Sequence, residues 1–355
     1  MALRKLERQP VLLESLQLFS QLDTEDTDSA IQAVSRRQAV LEQIRQGLDK
    51  SLVNEARLHG WRVQSLFEAV IVGLGSVQLI KTEDAGGCYF DDGLGKIKIP
   101  DYRLIRRDGE QLLVEVKNVE PTTFPQPQSV RKSELDRMQR YAELTGARLV
   151  LAHYWSMMNL WTVVDPRALT QEGERLLLDP EQAMKANELG QLGDALIGSR
   201  PPLVLSLVAD SDKDRSVRPA SNDEQEVRFT IAATELSSAG HVLTDPVEIG
   251  IAWFLLNYGG WAGHEELGVT DDGLPERLEF VAAPAEPVPG QDLEMIGHLS
   301  SMYSSLYNAR TLLPEGGIRK LRHEPHPDIL GNLIPDDYWD QPRTLPLWRF
   351  QIQPS

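Results

Sequence analysis

Cysteine, basic residues and long apolar runs are scarce in this sequence, and each scarcity excludes a class of protein. The single cysteine, Cys88, excludes an internal disulfide framework and a cysteine-rich zinc site, so we expect a reducing, cytoplasmic compartment. No apolar run approaches the roughly 20 residues of a membrane span. The basic N-terminal residues are not followed by the apolar segment of a signal peptide. We therefore expect no association with membranes.

Positive charge is unevenly distributed along the chain. The 355 residues include 36 Lys and Arg against 53 Asp and Glu, which gives a net charge of −17. Residues 1–180 hold 23 basic and 26 acidic side chains, a balance of −3, whereas residues 181–355 hold 13 and 27, a balance of −14. Phosphate contacts require Lys and Arg. Any nucleic-acid site is therefore expected before residue 181, and the acidic part is expected to meet solvent, a protein partner or a small regulatory ligand.

Length and composition predict an ordinary globular protein of two or three domains, because 41% of the residues are hydrophobic and 25% are charged. Apolar periodicity divides the chain into a helical region over 1–60, a compact α/β domain over 61–178 and an acidic α+β domain over 179–355. The predicted helices of the two later domains cover 63–74, 129–145, 179–200, 247–258 and 292–312. The predicted strands cover 77–80, 97–105, 112–116, 148–152, 160–164, 203–208, 227–232 and 278–282.

Two charged side chains lie in an otherwise apolar predicted strand. Because side chains alternate along a strand, Glu115 and Lys117 share one face, and Val114 and Val116 belong to the other. Burying an ion pair on a strand is costly unless a metal or a substrate phosphate compensates. The alternative is an exposed cross-strand pair on a surface hairpin.

The loop of the predicted hairpin decides which way Asp101 points. A two-residue turn, Asp108-Gly109, would set Asp101 opposite Val116 and turn it away from Glu115. A three-residue loop that begins one residue earlier, with glycine at the left-handed position, would set Asp101 opposite Glu115 on the same face. Opposed residues have Cβ atoms roughly 4.5–5.5 Å apart, so the two carboxylates could share one cation. We favour the three-residue loop, or a bulge near Pro100 with the same effect.

A family resemblance rests on these residues. Pro100-Asp101, followed after thirteen residues by Glu115-Val116-Lys117, resembles the signature of the PD-(D/E)xK nuclease superfamily. The following region, with Gln139-Arg140-Tyr141-Ala142 on a helix and then Gly146 and a strand, is similar to type I restriction subunits and related defence nucleases. The resemblance covers about residues 60–166. It implies an α/β fold whose restriction-endonuclease-like core is a mixed sheet flanked by helices, with N-terminal helices and a C-terminal α+β domain.

The resemblance also implies a chemistry and a site. Mg²⁺, for which Mn²⁺ could substitute, would be held by Asp101, Glu115, the backbone carbonyl of Val116 and, directly or through water, Glu68. Lys117 would orient the attacking water and neutralise charge on the transition state. The implied catalytic residues are Asp101, Glu115, Lys117, Glu68 and Gln139. The implied function is that of a DNA endonuclease in prokaryotic antiviral defence or restriction, working as a homo-oligomer.

Basic residues cluster around this segment and are the candidates for contacts with nucleic acid, whether DNA or RNA. Ordinary solvated charge is the alternative for each of them. The candidates are Lys98, Arg103, Arg106, Arg107, Arg131, Lys132, Arg137 and Arg140, together with Tyr141.

Other functions remain open to the sequence. A nuclease fold can hold nucleic acid or protein without cutting, and the chain could also be a subunit of a larger defence assembly that docks through its acidic part. A weaker metal candidate consists of His323, His326 and Asp328, although the prolines between them argue against a site there.

Overall fold

A computed structural model describes residues 3–5, 10–23, 34–84, 88–91, 93, 95–120, 125–219, 225–325 and 333–351. The helices are α1 (Pro10–Leu22), α2 (Val34–Leu52), α3 (Glu55–Leu74), α4 (Lys132–Thr145), α5 (Pro180–Lys185), α6 (Pro246–Tyr258) and α7 (Leu299–Thr311). The strands up to residue 199 are β1 (Val77–Thr82), β2 (Tyr102–Arg106), β3 (Gln111–Val119), β4 (Gln128–Arg131), β5 (Arg148–Trp155), β6 (Leu160–Val164), β7 (Thr170–Glu172), β8 (Arg175–Leu178) and β9 (Leu196–Ser199). The later strands are β10 (Leu203–Ala209), β11 (Ser216–Pro219), β12 (Gln225–Arg228), β13 (Ile231–Ser238), β14 (His241–Val242), β15 (Ala262–Val269), β16 (Pro275–Ala283), β17 (Glu294–His298) and β18 (Leu347–Phe350).

A five-stranded sheet in the order β1-β2-β3-β5-β6 carries the candidate site. Its central pair, β3 and β5, is parallel, and the other pairs are antiparallel. Alternation along β3 gives the sheet two apolar faces: Val114 and Val116 pack in the cluster that contains α3 and α7, and Leu113 packs in the cluster that contains α4. The prediction of a mixed sheet flanked by helices is confirmed.

The helix α7 comes from the acidic part of the chain, yet it packs on the same sheet face as α3. The indole of Trp161 on β6 donates to Ser304 Oγ at 3.0 Å, and Arg62 on α3 donates to Asn308 Oδ1 at 2.7 Å. The helices approach so closely that a Cβ on Gly73 would lie 2.9 Å from the Tyr303 ring. One apolar core therefore crosses the predicted border between residues 178 and 179.

The acidic part contains a second five-stranded sheet, β14-β13-β10-β16-β15, which is antiparallel throughout, with α6 against β13 and β10. The predicted helix over 179–200 is wrong, because α5 ends at Lys185 and only a short 3-10 helix, Leu189–Leu192, follows before β9 begins. Gly193, whose φ of 102° lies in the left-handed region that favours glycine, ends that 3-10 helix. Across the described residues, none of the helices combines the length and apolarity that a membrane crossing requires.

The hairpin of β2 and β3 has the predicted three-residue loop. The amide of Arg106 donates to the carbonyl of Glu110 at 2.9 Å, and Gly109 takes a φ of 89°, as the left-handed position of this loop requires. Tyr102 pairs with Val114, so the next positions along, Asp101 and Glu115, face each other. The favoured register is confirmed.

Candidate active site

Asp101 directly precedes β2 and reaches into the gap where β2 and β3 separate. Its Oδ2 accepts a hydrogen bond from the backbone amide of Val116 at 2.7 Å, and its Oδ1 accepts one from Gln64 Nε2 on α3 at 2.7 Å. The hydroxyl of Tyr102 donates to the carbonyl of Gln64 at 3.0 Å and so fixes that turn of the helix against the strand. The carboxylate is therefore held from two directions.

The protonation of Asp101 depends on its surroundings. Burial raises its pKa from 3.8 to about 7, and the neighbouring charge of Glu115 acts in the same direction. The Val116 amide and the ammonium groups of Lys117 and Lys98 offset only part of this effect. A cation bound between the two carboxylates would offset this repulsion and stabilise the ionised form of Asp101.

Glu115 has one satisfied and one unsatisfied carboxylate oxygen. Its side chain is only 5% exposed. The Oε1 atom accepts from both Lys98 Nζ and Lys117 Nζ, each at 2.7 Å, whereas the buried Oε2 atom has no hydrogen-bond partner. A buried carboxylate oxygen without a partner is costly, and a bound cation would satisfy it.

Glu134, in the first turn of α4, completes the cluster above the sheet. Its Oε1 accepts from Lys98 Nζ at 2.5 Å and lies 3.6 Å from Lys117 Nζ. Partial burial alone would raise the pKa of Glu134, but the hydrogen bond from Lys98 and both lysine charges lower it below its usual value. The side chains of Lys98, Lys117 and Glu134 are 36%, 25% and 34% exposed, so the cluster opens to solvent on the α4 side.

The Glu68 side chain is held by an arginine from the far end of the chain. The Glu68 carboxylate binds Arg322 at 3.0 Å, and Gln64, one helical turn earlier, is the α3 residue that contacts Asp101. In the part of the chain that the structure describes, no group of three or more acidic, histidine or cysteine side chains is arranged to hold a metal ion. The predicted ligand role of Glu68 gains no support from this geometry, and a cation here would have two carboxylates.

The other predicted catalytic residue, Gln139, is exposed on α4. Tyr141, on the same helix, turns toward the sheet and donates to Glu83 Oε1 at 2.7 Å. That contact ties α4 to the residue that follows β1, and the substrate role of Tyr141 stays a prediction.

The predicted nucleic-acid residues differ in how firmly protein contacts hold them. Arg103 and Arg106 are held in the sheet by acidic partners, Glu83 and Glu110 respectively. Those on α4 and just before it keep much of their solvent exposure, with Arg131 and Arg137 exposed and Lys132 half-buried. The remaining contacts are from Arg107 to the Gly75 carbonyl at 2.8 Å, from Arg140 to the Lys96 carbonyl at 2.6 Å and from Lys98 to Glu115 and Glu134.

His153 is a buried residue of this region that sequence reasoning missed. It lies on β5 directly beside Lys117, is fully buried and has no hydrogen-bond partner at either ring nitrogen. Burial, with a smaller effect of the Lys117 charge, lowers its pKa to about 3, so the ring is neutral. The only sequence signal was a single histidine in the apolar run Arg148–Trp155.

For the weaker metal candidate, His323 is described, but His326 and Asp328 lie outside the described residues.

No protein-family model matches the chain, and no curated protein matches its sequence. Among solved structures, Hjc, a Holliday junction resolvase from Archaeoglobus fulgidus, aligns with a TM-score of 0.22 and 17% identity. The alignment covers 25% of this chain and 73% of the resolvase. A likeness at this TM-score decides neither fold nor activity, which leaves the geometry of Asp101, Glu115 and Lys117 as the ground for a function.

Replacing His153 with leucine tests whether its buried, unpaired ring destabilises the fold. We expect the unfolding free energy of the variant at pH 7 to be at least that of the wild type and up to about 1 kcal/mol higher, because an apolar side chain leaves no unsatisfied polar group. The advantage should grow at pH 5, because the unfolded histidine binds a proton there and the folded one does not. Urea denaturation measures both values. A less stable variant, or an equal gain for His264→Leu at an exposed position, would contradict this interpretation.

Proposed function

We propose that this chain is a divalent-metal-dependent nuclease that hydrolyses phosphodiester bonds of DNA on a PD-(D/E)xK-type core. One observation carries the proposal: the hairpin register sets Asp101 against Glu115, whose Oε2 is buried without a partner, and Lys117 lies beside them. Two acids and an amine from one signature thus lie where the pairing of β2 with β3 ends. The sequence resemblance over residues 60–166 supports the proposed role in defence or restriction.

The residues fit a hard divalent cation. Such ions take carboxylate and carbonyl oxygens and retain several waters. Asp101 and Glu115 Oε2 offer the carboxylate oxygens, and Val116, the residue after Glu115, would offer its backbone carbonyl. When bound, Mg²⁺ would polarise the scissile phosphate and lower the pKa of a water molecule. Gln64 and the Val116 amide keep Asp101 in place for that binding.

Lys117 is suited to the attacking water and the charge that develops on the phosphate. Its ammonium is held by Glu115 Oε1 at 2.7 Å and its side chain is 25% exposed, so it can meet a substrate without leaving the site. A preorganised cation of this kind stabilises a transition state because it needs no reorientation during the reaction. Phosphate contacts that position the substrate fall to the exposed basic residues Arg131 and Arg137.

A panel of substrates tests the proposed function. The purified full-length chain is incubated with double-stranded DNA, single-stranded DNA and RNA in Mg²⁺, Mn²⁺ or EDTA, beside the Asp101→Asn variant. We expect cleavage of DNA by the wild type with either metal, none in EDTA and none by the variant. Cleavage that survives EDTA, or that the variant retains, would contradict the proposal. DNA binding without any cleavage would instead support a non-cutting module.

A further inference from the structure

Two lysines share one oxygen of Glu115, and the proposed function uses only Lys117. Lys98 Nζ lies 2.7 Å from Glu115 Oε1 and 2.5 Å from Glu134 Oε1, so its ammonium bridges two carboxylates. Burial alone would lower the pKa of Lys98, but the hydrogen bonds to these two acids raise it above its usual value. Lys98 is therefore a fixed positive charge inside the site.

The backbone holds Lys98 in this position. Its amide donates to the carbonyl of Arg137 at 3.2 Å, and Arg140 NH1 donates to the carbonyl of Lys96 at 2.6 Å. The segment that carries Lys98 is thus fastened to α4, the helix that also carries Glu134. Lys98 and Glu134 keep their spacing because both are fixed to the same helix.

Glu115 has the geometry of a bridging carboxylate. In two-metal sites that act on phosphates, two ions about 3.5–4 Å apart flank the reacting group and stabilise the attacking and leaving oxygens. Here Glu115 Oε1 faces an ammonium and Glu115 Oε2, buried and unpartnered, is free to face a metal ion with Asp101. One side of the carboxylate is already supplied with positive charge.

We propose that Lys98 takes the place of a second divalent cation in this site, so that the chain binds one ion where a two-metal enzyme binds two. The inference rests on the proposed function and adds to it a role for Lys98 and Glu134. Lys98 supplies the second positive charge next to the scissile phosphate. Glu134 positions Lys98, and it becomes a metal ligand only when the ammonium is removed.

Metal stoichiometry without substrate tests this proposal. Calorimetric titration of the full-length chain with Mn²⁺, and separately with Ca²⁺, should give one site in the wild type. Lys98→Ala removes one of the two ammonium partners of Glu115 Oε1 and the nearer ammonium partner of Glu134, and we expect two sites. The double variant Lys98→Ala, Glu134→Gln should return to one, and Lys96→Ala, at an exposed position two residues away, should remain at one.

Cleavage supplies a second readout. For Lys98→Ala we expect about 10²-fold slower cleavage in low Mn²⁺, recovery at high Mn²⁺, and a rate that depends on metal concentration with an order near two. Circular dichroism checks folding, and Lys98→Met, which keeps the aliphatic stem, replaces the alanine variant if that variant is unfolded. Two ions bound by the wild type, or a single ion bound by the folded single variant, Lys98→Ala or Lys98→Met, would overturn the role of Lys98 and leave the nuclease proposal standing. No metal binding at all by the wild type would overturn both.

Discussion

Replacing Lys117 with alanine is expected to slow cleavage by about 10²- to 10³-fold while metal binding persists. The variant keeps Asp101 and Glu115 as ligands, and Glu115 Oε1 keeps Lys98 as a partner at 2.7 Å, so the site loses a catalytic charge without leaving a carboxylate buried alone. The effect should therefore appear in kcat, with little change in KM.

Cleavage rates over a range of DNA concentrations give kcat and KM, and calorimetric Mn²⁺ titration of the same preparations measures metal binding. The matched control is Lys185→Ala, which removes an exposed lysine paired with Glu181 on α5, far from the hairpin in sequence. A Lys117→Ala variant that cleaves within about threefold of the wild type would rule out this lysine as a catalytic group.

Metal affinity should depend on pH through Asp101. Because the pKa of this carboxyl is raised to about 7, a metal ion must displace a proton below that pH, and the affinity should rise up to tenfold per pH unit between pH 5 and 7 and then level off. Asp101→Asn removes both the ligand and the titrating group, so its weak residual binding should not follow this profile. Calorimetry with Mn²⁺ from pH 5 to 8 measures it, and an equally steep profile in the variant would contradict the assignment.

The same carboxyl should influence the stability of the metal-free protein. The unfolded aspartate titrates near 3.8 and the folded one near 7, so the folded state holds the additional proton between these values. Unfolding free energy should therefore fall as pH rises from 4 to 7, by a contribution on the order of 4 kcal/mol. Asp101→Asn should remove this fall. Urea denaturation in EDTA provides the comparison, with Asp272→Asn, in an exposed turn, as a control that should retain the wild-type dependence.

The parts of the site that follow from local chemistry were predictable from the sequence. The register of the hairpin depends on a loop whose left-handed position Gly109 can occupy, and the shared face of Glu115 and Lys117 depends on strand alternation. Both features require only neighbouring residues, so the opposition of Asp101 and Glu115 was within reach of the sequence.

The remaining features depend on contacts between distant elements. Gln64 rather than Glu68 meets Asp101 because α3 is set against the sheet by its packing on α7, a helix from the far end of the chain. Glu134 reaches Lys98 because the segment before Asp101 is bonded to α4, which no periodicity reveals. The cytoplasmic location, the homo-oligomer and a regulatory role for residues 179–355 stay predictions.

A crystal of the full-length chain grown with Mn²⁺ would test the central claim most directly, through the anomalous scattering of the metal. We expect one peak, contacted by the carboxylates of Asp101 and Glu115, with Lys98 still between Glu115 and Glu134. A saturated crystal with no peak at these two carboxylates would show that the opposed acids do not form a metal site.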